Sequence, residues 1–200
     1  MRKRRLSIFH QLIDGMPRPL RILDVGGTQS FWEVAGISQM EGVQILLLNI
    51  ERIEVSHPNM TYLAGNATDL QQFGDDEFDV VFSNSVIEHV GAFTEQQKMA
   101  DEIQRVGKTY YVQTPNRYFP VEPHFLFPFF QFLPVKVRTL LLQHFSLGWV
   151  KKKPDPDEAR SSVESIRLLT RHEVLALFPQ GDMHDEKVLG LTKSFVVVGR

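Results

Sequence analysis

Short apolar runs that end at glycine or polar residues divide the first half of the chain into strand-sized pieces. Five such runs predict buried strands at residues 20–25, 43–48, 60–64, 78–82 and 109–113. Segments with helical spacing precede or separate them, at residues 6–13, 29–36 and 94–106. Because strands that alternate with helices form a parallel sheet covered on both faces, this order predicts a doubly wound α/β fold.

The last thirty residues predict how the sheet ends. Thr170, with Glu173 three residues later, is a capping signal for a helix over 170–178. Two short runs, 183–188 and 193–198, then read as strands joined by a turn. We therefore expect a single domain over residues 1–200, with a mostly parallel seven-stranded sheet that closes with an antiparallel C-terminal strand.

A similar capping signal lies in the middle of the chain. Thr94 can cap the helix predicted over 94–106, and Gln97 stands at the matching third position. Gly107 can end this helix.

An aromatic insertion, residues 117–162, follows the fifth predicted strand. Its first part, 117–150, carries nine aromatic residues and several prolines, which break any long helix. It is either a lid packed on itself or the wall of an apolar substrate site. Residues 151–162 are charged and contain proline, and we expect a mobile loop there.

Composition narrows the function classes. The chain has 200 residues, 42% hydrophobic and 23% charged, with a net charge of −2 and no cysteine. This balance is typical of a globular protein and gives no reason to expect nucleic acid. Without cysteine there are no disulfides or thiolate metal sites. No apolar run is long enough for a membrane span, so a cytoplasmic location is expected. The basic residues 2–5 are either a solvated end or a contact with an anionic membrane surface.

The glycine turn after the first strand is the strongest functional signal. Asp24, Gly26 and Gly27 end the apolar run, and a helical segment follows. Glycines let a ligand approach the backbone, and the ligand of a doubly wound sheet lies at the carboxyl ends of its strands. Small or polar residues also end the other predicted strands: Asn49, Asn66, Ser83 and Thr114.

These pieces, in this order, resemble the class I S-adenosylmethionine-dependent methyltransferases, in particular the small bacterial type of the methyltransferase-11 family. The resemblance rests on five segments, at residues 23–27, 48–51, 65–69, 78–90 and 111–116. It implies a Rossmann-like fold, S-adenosyl-L-methionine as cofactor, and transfer of its methyl group to an acceptor.

The resemblance also implies roles for particular residues. Asp24 would orient the glycine turn or reach the amino group of the cofactor. The remaining implied cofactor contacts are the turn (Gly26, Gly27), the ribose (Asn49, Glu51), the adenine (Asn66, Ala67) and the methionyl end (Ser83, Asn84). Two features depart from the family pattern. Thr28, Gln29 and Ser30 stand where further glycines are usual, and asparagine replaces an acid at positions 49 and 66.

Methyl transfer needs a base only when the acceptor must lose a proton. The candidates are His124, His89 and Glu88, with His124 first because the insertion should face the acceptor. Both histidines also have a purely structural interpretation, His89 as a packed helix residue and His124 as a brace for the aromatic segment. The seven histidines are scattered without a His-x-x-x-His pair, and no metal site is predicted.

The acceptor itself cannot be read from the sequence. The aromatic insertion favours a small-molecule or lipid-linked acceptor with a large apolar part, and the basic residues favour peripheral membrane contact. Two other classes of protein have a sheet of this kind. A nicotinamide-dependent oxidoreductase requires a third glycine where Phe31 stands. A binding module that kept the fold but lost the cofactor remains open because the glycine turn is altered.

Overall fold

The computed structural model describes residues 2–200, and the side chains from Arg5 onward. The expected membrane contact of the basic cluster therefore falls largely on side chains outside the described part. The strands are β1 (Leu20–Val25), β2 (Val43–Asn49), β3 (Met60–Ala64), β4 (Val80–Asn84), β5 (Tyr110–Pro115), β6 (Val121–Glu122), β7 (Phe127–Pro128), β8 (Asp182–Val188) and β9 (Leu191–Gly199). The α-helices are α1 (Arg2–Ile13), α2 (Gln29–Ala35), α3 (Phe93–Val106), α4 (Val135–His144), α5 (Pro156–Glu164) and α6 (Arg171–Leu177).

Seven of the described strands form one sheet in the order β3-β2-β1-β4-β5-β9-β8. The pairs from β3 to β5 are parallel, and β9 is antiparallel to both of its neighbours. The predicted doubly wound, mostly parallel sheet with an antiparallel C-terminal strand is thereby confirmed. The strand order reverses between β1 and β4, and a sheet of this kind opens a ligand crevice at such a point.

Two apolar layers bury the sheet on both faces. On one face α1 and α2 bring Phe9 and Trp32 against β1, β2 and β4. On the other, α3 and α6 bring Met99 and Val174 against alternate residues of the same strands. Since both faces are covered, β1 is buried at five of its six positions, and its run is nearly continuous in apolar residues.

Helix capping matches the prediction at one helix and differs at another. The side chain of Thr170 accepts from the Glu173 N–H and the Glu173 carboxylate accepts from the Thr170 N–H, so the capping box of α6 is confirmed. The Thr94 cap is wrong, because α3 begins one residue earlier, at Phe93, after an extended Ala92 that makes no side-chain cap.

The insertion folds around a small core of its own. Phe125, Phe130 and Leu142 pack with Ala159 and Val163. The expectation of a mobile loop over 151–162 is wrong in its second half, where α5 starts at Pro156. The Asp155 carboxylate caps this helix by accepting from the N–H groups of residues 157 and 158.

No helix within residues 2–200 combines the length and apolar character needed to cross a membrane.

Candidate active site

The glycine turn stands at the carboxyl end of β1, where its backbone leaves no room for side chains. Gly26 has φ +78°, and a Cβ there would lie 2.6 Å from both methyl groups of Val86. Its N–H donates to the Leu48 carbonyl at 2.7 Å. Only glycine fits this position, so the turn presents bare backbone to the sheet edge.

Asp24 lies beneath this turn and is 1% exposed. Its Oδ2 accepts from the Trp32 indole N–H at 2.6 Å. A Cβ on Gly27 would be 1.6 Å from the same oxygen, so this glycine is required by the carboxyl group packed against it. Burial raises the pKa of Asp24 to about 7, against the opposing effect of the Trp32 hydrogen bond. Within the described residues, Oδ1 has no hydrogen-bond partner.

Two cavities meet at Gly26. One, of about 330 Å³, is lined by Asp24, Gly27, Thr28, Phe31 and Asn84, among others. The other, of about 440 Å³, is lined by Asn49, Gly65, Asn66, Ala67, His89 and Glu95, among others. Their sizes are those of small-ligand sites. Hollows of about 590 and 800 Å³ elsewhere on the surface do not touch the glycine turn.

At the end of β2, the structure separates the two residues implied for the ribose. Asn49 lines the larger cavity, donates weakly to the Gly27 carbonyl at 3.4 Å and accepts from the Glu51 N–H at 3.2 Å. Glu51 is exposed and is not among the residues that line this cavity. The geometry thus favours Asn49 over Glu51.

Asn66 and Ala67 both line the larger cavity, as their implied adenine contact requires. The Asn66 oxygen, however, already accepts from the N–H and the hydroxyl of Thr68, each at 3.0 Å. It therefore shapes the turn after β3.

Ser83 and Asn84 end β4 but lie differently. Asn84 lines the smaller cavity and is 3.5 Å from an Arg5 guanidinium nitrogen. Ser83 is fully buried and lines neither cavity. Its implied contact with the methionyl end stays a prediction.

A polar cluster adjoins the larger cavity and is built from the turn after β4 and the β6–β7 hairpin; its acids are buried, whereas His89 is exposed and His124 is partly buried. Glu88 is 0% exposed; its Oε2 accepts from the Thr114 hydroxyl at 3.0 Å, and its Oε1 lies 4.0 Å from His124 Nε2. The His124 and His89 rings meet edge to face at 4.8 Å. His124 Nδ1 lies 2.7 Å from Glu122 Oε1. The two predicted catalytic histidines are thus in contact beside the site.

The environment of each group sets its protonation. Burial raises the pKa of Glu88 to about 7. Burial, together with the charge of His124, lowers the pKa of His89 to about 4. Burial opposes protonation of His124, but the Glu122 hydrogen bond and both carboxylates prevail and raise its pKa. His89 is therefore a neutral imidazole, whereas His124 has a stabilised charged form.

Sequence reasoning missed two acids of this site. Glu122 is 2% exposed and holds His124, but it is not among the candidates that the sequence offers. Its spacing of two residues from His124 was the available signal. Glu95 lines the larger cavity from α3. No sequence signal marked it, because it resembles any acidic residue on the exposed face of a helix.

The residues present fit the cofactor that the resemblance implies. An ammonium group is a natural partner for the unpaired Asp24 Oδ1, which is buried beside the smaller cavity. The backbone at Gly26 and Gly27 has no side-chain cover. Beyond it, Asn49 and Asn66 line the larger cavity, which has room for a nucleoside.

Comparisons with known proteins agree with this geometry. A family model described as a methyltransferase domain matches residues 24–109. Two uncharacterized proteins of Mycobacterium tuberculosis, from strains CDC 1551 / Oshkosh and ATCC 25618 / H37Rv, are 40% identical over 53 residues, 26% of this chain and 18% of theirs. The matched segment thus spans under a fifth of these relatives.

Two solved structures share the fold at low identity. The N-terminal domain of EvdMO1, crystallised in the presence of SAH and D-fucose, has a TM-score of 0.59 at 19% identity, over 100% of this chain and 82% of that one. An S-adenosylmethionine-dependent methyltransferase of Methanosarcina mazei has a TM-score of 0.56 at 16% identity, over 96% of this chain and 95% of that one.

The chain has a Rossmann-like fold, and its residues 24–109 match a methyltransferase-domain model. The family match over residues 24–109, which is less than half of the chain, and the shared fold both agree with the sequence-based resemblance to the class I S-adenosylmethionine-dependent methyltransferases.

Proposed function

We propose that this chain transfers the methyl group of S-adenosylmethionine to a small or lipid-linked acceptor through a nucleophile that loses a proton. The observation that carries the proposal is the pair of cavities that meet at Gly26 above the unpaired Asp24 oxygen. The ammonium group would lie toward Asp24 and the adenosine toward Asn49 and Asn66. Residues 1–200 act as one domain in this proposal.

The bound cofactor supplies a methyl group already activated on a sulfonium. What the chain contributes is mainly position, because an in-line displacement is accelerated when the nucleophile is held close and aligned. His89 lines the cofactor cavity and contacts His124, so this pair stands where an acceptor would enter. A cluster with a neutral imidazole and two carboxylates suits an acceptor hydroxyl, whose proton must leave.

The apolar part of the acceptor is proposed from the surface of the insertion. Phe125 and Phe130 are buried in its own core, as a self-contained lid would require. Other large apolar side chains of the insertion are exposed: Tyr118, Leu126, Phe129, Phe132, Leu140, Phe145 and Trp149. Leu126 and Phe129 are even held at positive φ, which is unfavourable for such residues. Apolar side chains kept exposed in this way support an apolar partner.

An anionic membrane is the partner we propose for this face. Lys151 and Lys152 are exposed and follow the exposed Trp149 after one intervening residue. Basic residues near such a surface contribute about 1 kcal/mol each. Co-sedimentation with phosphatidylserine vesicles should exceed that with neutral phosphatidylcholine vesicles, and Trp149→Ser should reduce it. Equal sedimentation of both proteins would refute the membrane contact.

The cytoplasmic location expected from the sequence stays a prediction, which cell fractionation would test.

Calorimetric titration with S-adenosylmethionine and S-adenosylhomocysteine tests the central proposal. We expect one equivalent of each to bind, and S-adenosylhomocysteine binding to disappear in Gly26→Val while its thermal transition stays cooperative. No binding by the unaltered protein would favour the alternative of a module that binds no cofactor. That alternative is supported by Thr28, Gln29 and Ser30, which stand where the family usually has glycines.

A further inference from the structure

The cluster beside the larger cavity contains three side chains of metal-binding type. Oxygen or nitrogen atoms of Glu88, His89 and His124 all lie within 4.8 Å of one another. Two tetrahedral ligands of one cation, each bound at about 2.1 Å, lie about 3.4 Å apart. The ligand atoms of the three residues would therefore each move by roughly an ångström or less to bind one cation.

Glu88 and His124 each keep a ligand atom that is available to a cation. Glu88 Oε2 accepts from Thr114, but Oε1 is fully buried and has no hydrogen-bond partner among the described residues. A buried carboxylate oxygen without a partner is costly, so a missing ligand is the simplest account of it. His124 uses Nδ1 toward Glu122, which leaves Nε2 directed to the Glu88 side, 4.0 Å from Oε1.

Glu122 has the place of an outer partner to a metal-bound histidine. Its Oε2 accepts from the backbone N–H groups of His124 and Phe125 at 2.7 and 2.6 Å, and its Oε1 faces His124 Nδ1 at 2.7 Å. These contacts fix the orientation of the His124 ring and leave the Nε2 lone pair facing Glu88. Carboxylate–histidine–metal triads have this arrangement.

We propose that Glu88, His89 and His124 bind one divalent transition-metal ion, with Glu122 orienting His124. Two imidazoles and one carboxylate favour Zn²⁺, Fe²⁺ or Co²⁺ over Mg²⁺ and Ca²⁺, which prefer oxygen ligands. The carboxyl groups of Glu88 and Glu122 are each at most 2% exposed, and a cation beside them would favour their ionised forms. Three protein ligands leave a coordination position open. In the proposed function, on which this last step rests, that position would hold the acceptor hydroxyl and lower its pKa.

Metal binding can be measured directly because the chain has no cysteine to compete. Tag-free protein is dialysed against a chelator and titrated with ZnCl₂ in a calorimeter, and with CoCl₂ while visible absorption is recorded. We expect one equivalent to bind, and the Co²⁺ spectrum to be that of a nitrogen and oxygen site. His124→Ala and Glu88→Gln should each lose this binding.

Glu122→Gln is the sharper variant, because it leaves all three ligands in place. It should weaken metal binding by about 10–100-fold. His172→Ala, which removes an exposed imidazole on α6, is the matched control and should bind metal as the unaltered protein does. Circular dichroism checks that each variant is folded.

S-adenosylhomocysteine binding is measured on the same samples. Protein that binds S-adenosylhomocysteine but no metal refutes the metal site and leaves the proposed function intact. Protein that binds metal but no S-adenosylhomocysteine keeps the site and refutes the function. Metal binding that His172→Ala reduces as much as His124→Ala also overturns the assignment.

Discussion

Replacing Asp24 by asparagine tests the central electrostatic feature of the site. The substitution removes the charge but keeps an oxygen that can accept from the Trp32 indole. In the fold, burial raises the pKa of Asp24 from 3.8 to about 7. A group with a raised pKa stabilises the fold fully below about pH 4, and this stabilisation is lost as the pH rises toward 7. We therefore expect Asp24→Asn to gain stability relative to the unaltered protein as the pH increases.

The magnitude follows from the same pKa. Each pH unit between about 4 and 7 changes the free energy of unfolding by about 1.4 kcal/mol. From pH 5.5 to 8 the unaltered protein should therefore lose about 2 kcal/mol of stability relative to Asp24→Asn. Urea unfolding at both pH values measures this difference. Asp14→Asn, which alters an exposed acid at the end of α1, is the control and should show no such pH-dependent difference.

Binding should change in the opposite direction. The ammonium group of the cofactor needs the ionised carboxylate. With a pKa of about 7, the ionised fraction of Asp24 rises about tenfold between pH 6 and pH 8. The affinity of the unaltered protein for S-adenosylhomocysteine should rise by about the same factor. In Asp24→Asn it should be weaker and nearly independent of pH in this range. Equal affinity in both proteins, or the same pH dependence, would refute the assigned contact.

Further predictions address the turn, the ribose contact and the folding of the domain. Asn49→Ala should weaken S-adenosylhomocysteine binding by up to about tenfold, the loss expected for one neutral hydrogen bond, and by more than Glu51→Ala does; the reverse order in calorimetry would restore Glu51 as the ribose ligand. Gly27→Ala should destabilise the fold, because its Cβ would overlap the Asp24 carboxylate; an unchanged unfolding midpoint contradicts this. Phe130→Ala should cost about 3–5 kcal/mol of stability in urea unfolding, since its ring is fully buried.

Sequence patterns predicted those features that depend on interactions between residues close together in the chain. Residues 20–25 form β1 with the predicted bounds because a nearly continuous apolar run that ends at glycine favours a buried strand in a sheet covered on both faces. The capping box of Thr170 and Glu173 involves groups three residues apart, so it was readable directly. Even so, the failed Thr94 signal shows that a similar pattern is overridden when the preceding turn begins the helix earlier.

The glycine turn was partly readable. Its position after a buried strand predicted a ligand site, but the reasons for its glycines are tertiary. Gly26 is crowded by Val86, sixty residues away in sequence, and Gly27 by the Asp24 carboxyl group. The raised pKa of Asp24 likewise depends on burial, which the sequence pattern does not state.

The amino-acid sequence by itself determined the order of strands and helices along the chain and indicated the class of enzyme, because these depend on periodicity and on short motifs. Only the tertiary structure brought Glu88 and His89 together with Glu122 and His124, more than thirty residues later, by folding a short hairpin against the carboxyl ends of β4 and β5. Such a cluster has no sequence spacing of its own. Glu88 and Glu122 became part of a candidate site only once burial removed their water and left one carboxylate oxygen of Glu88 without a partner among the described residues.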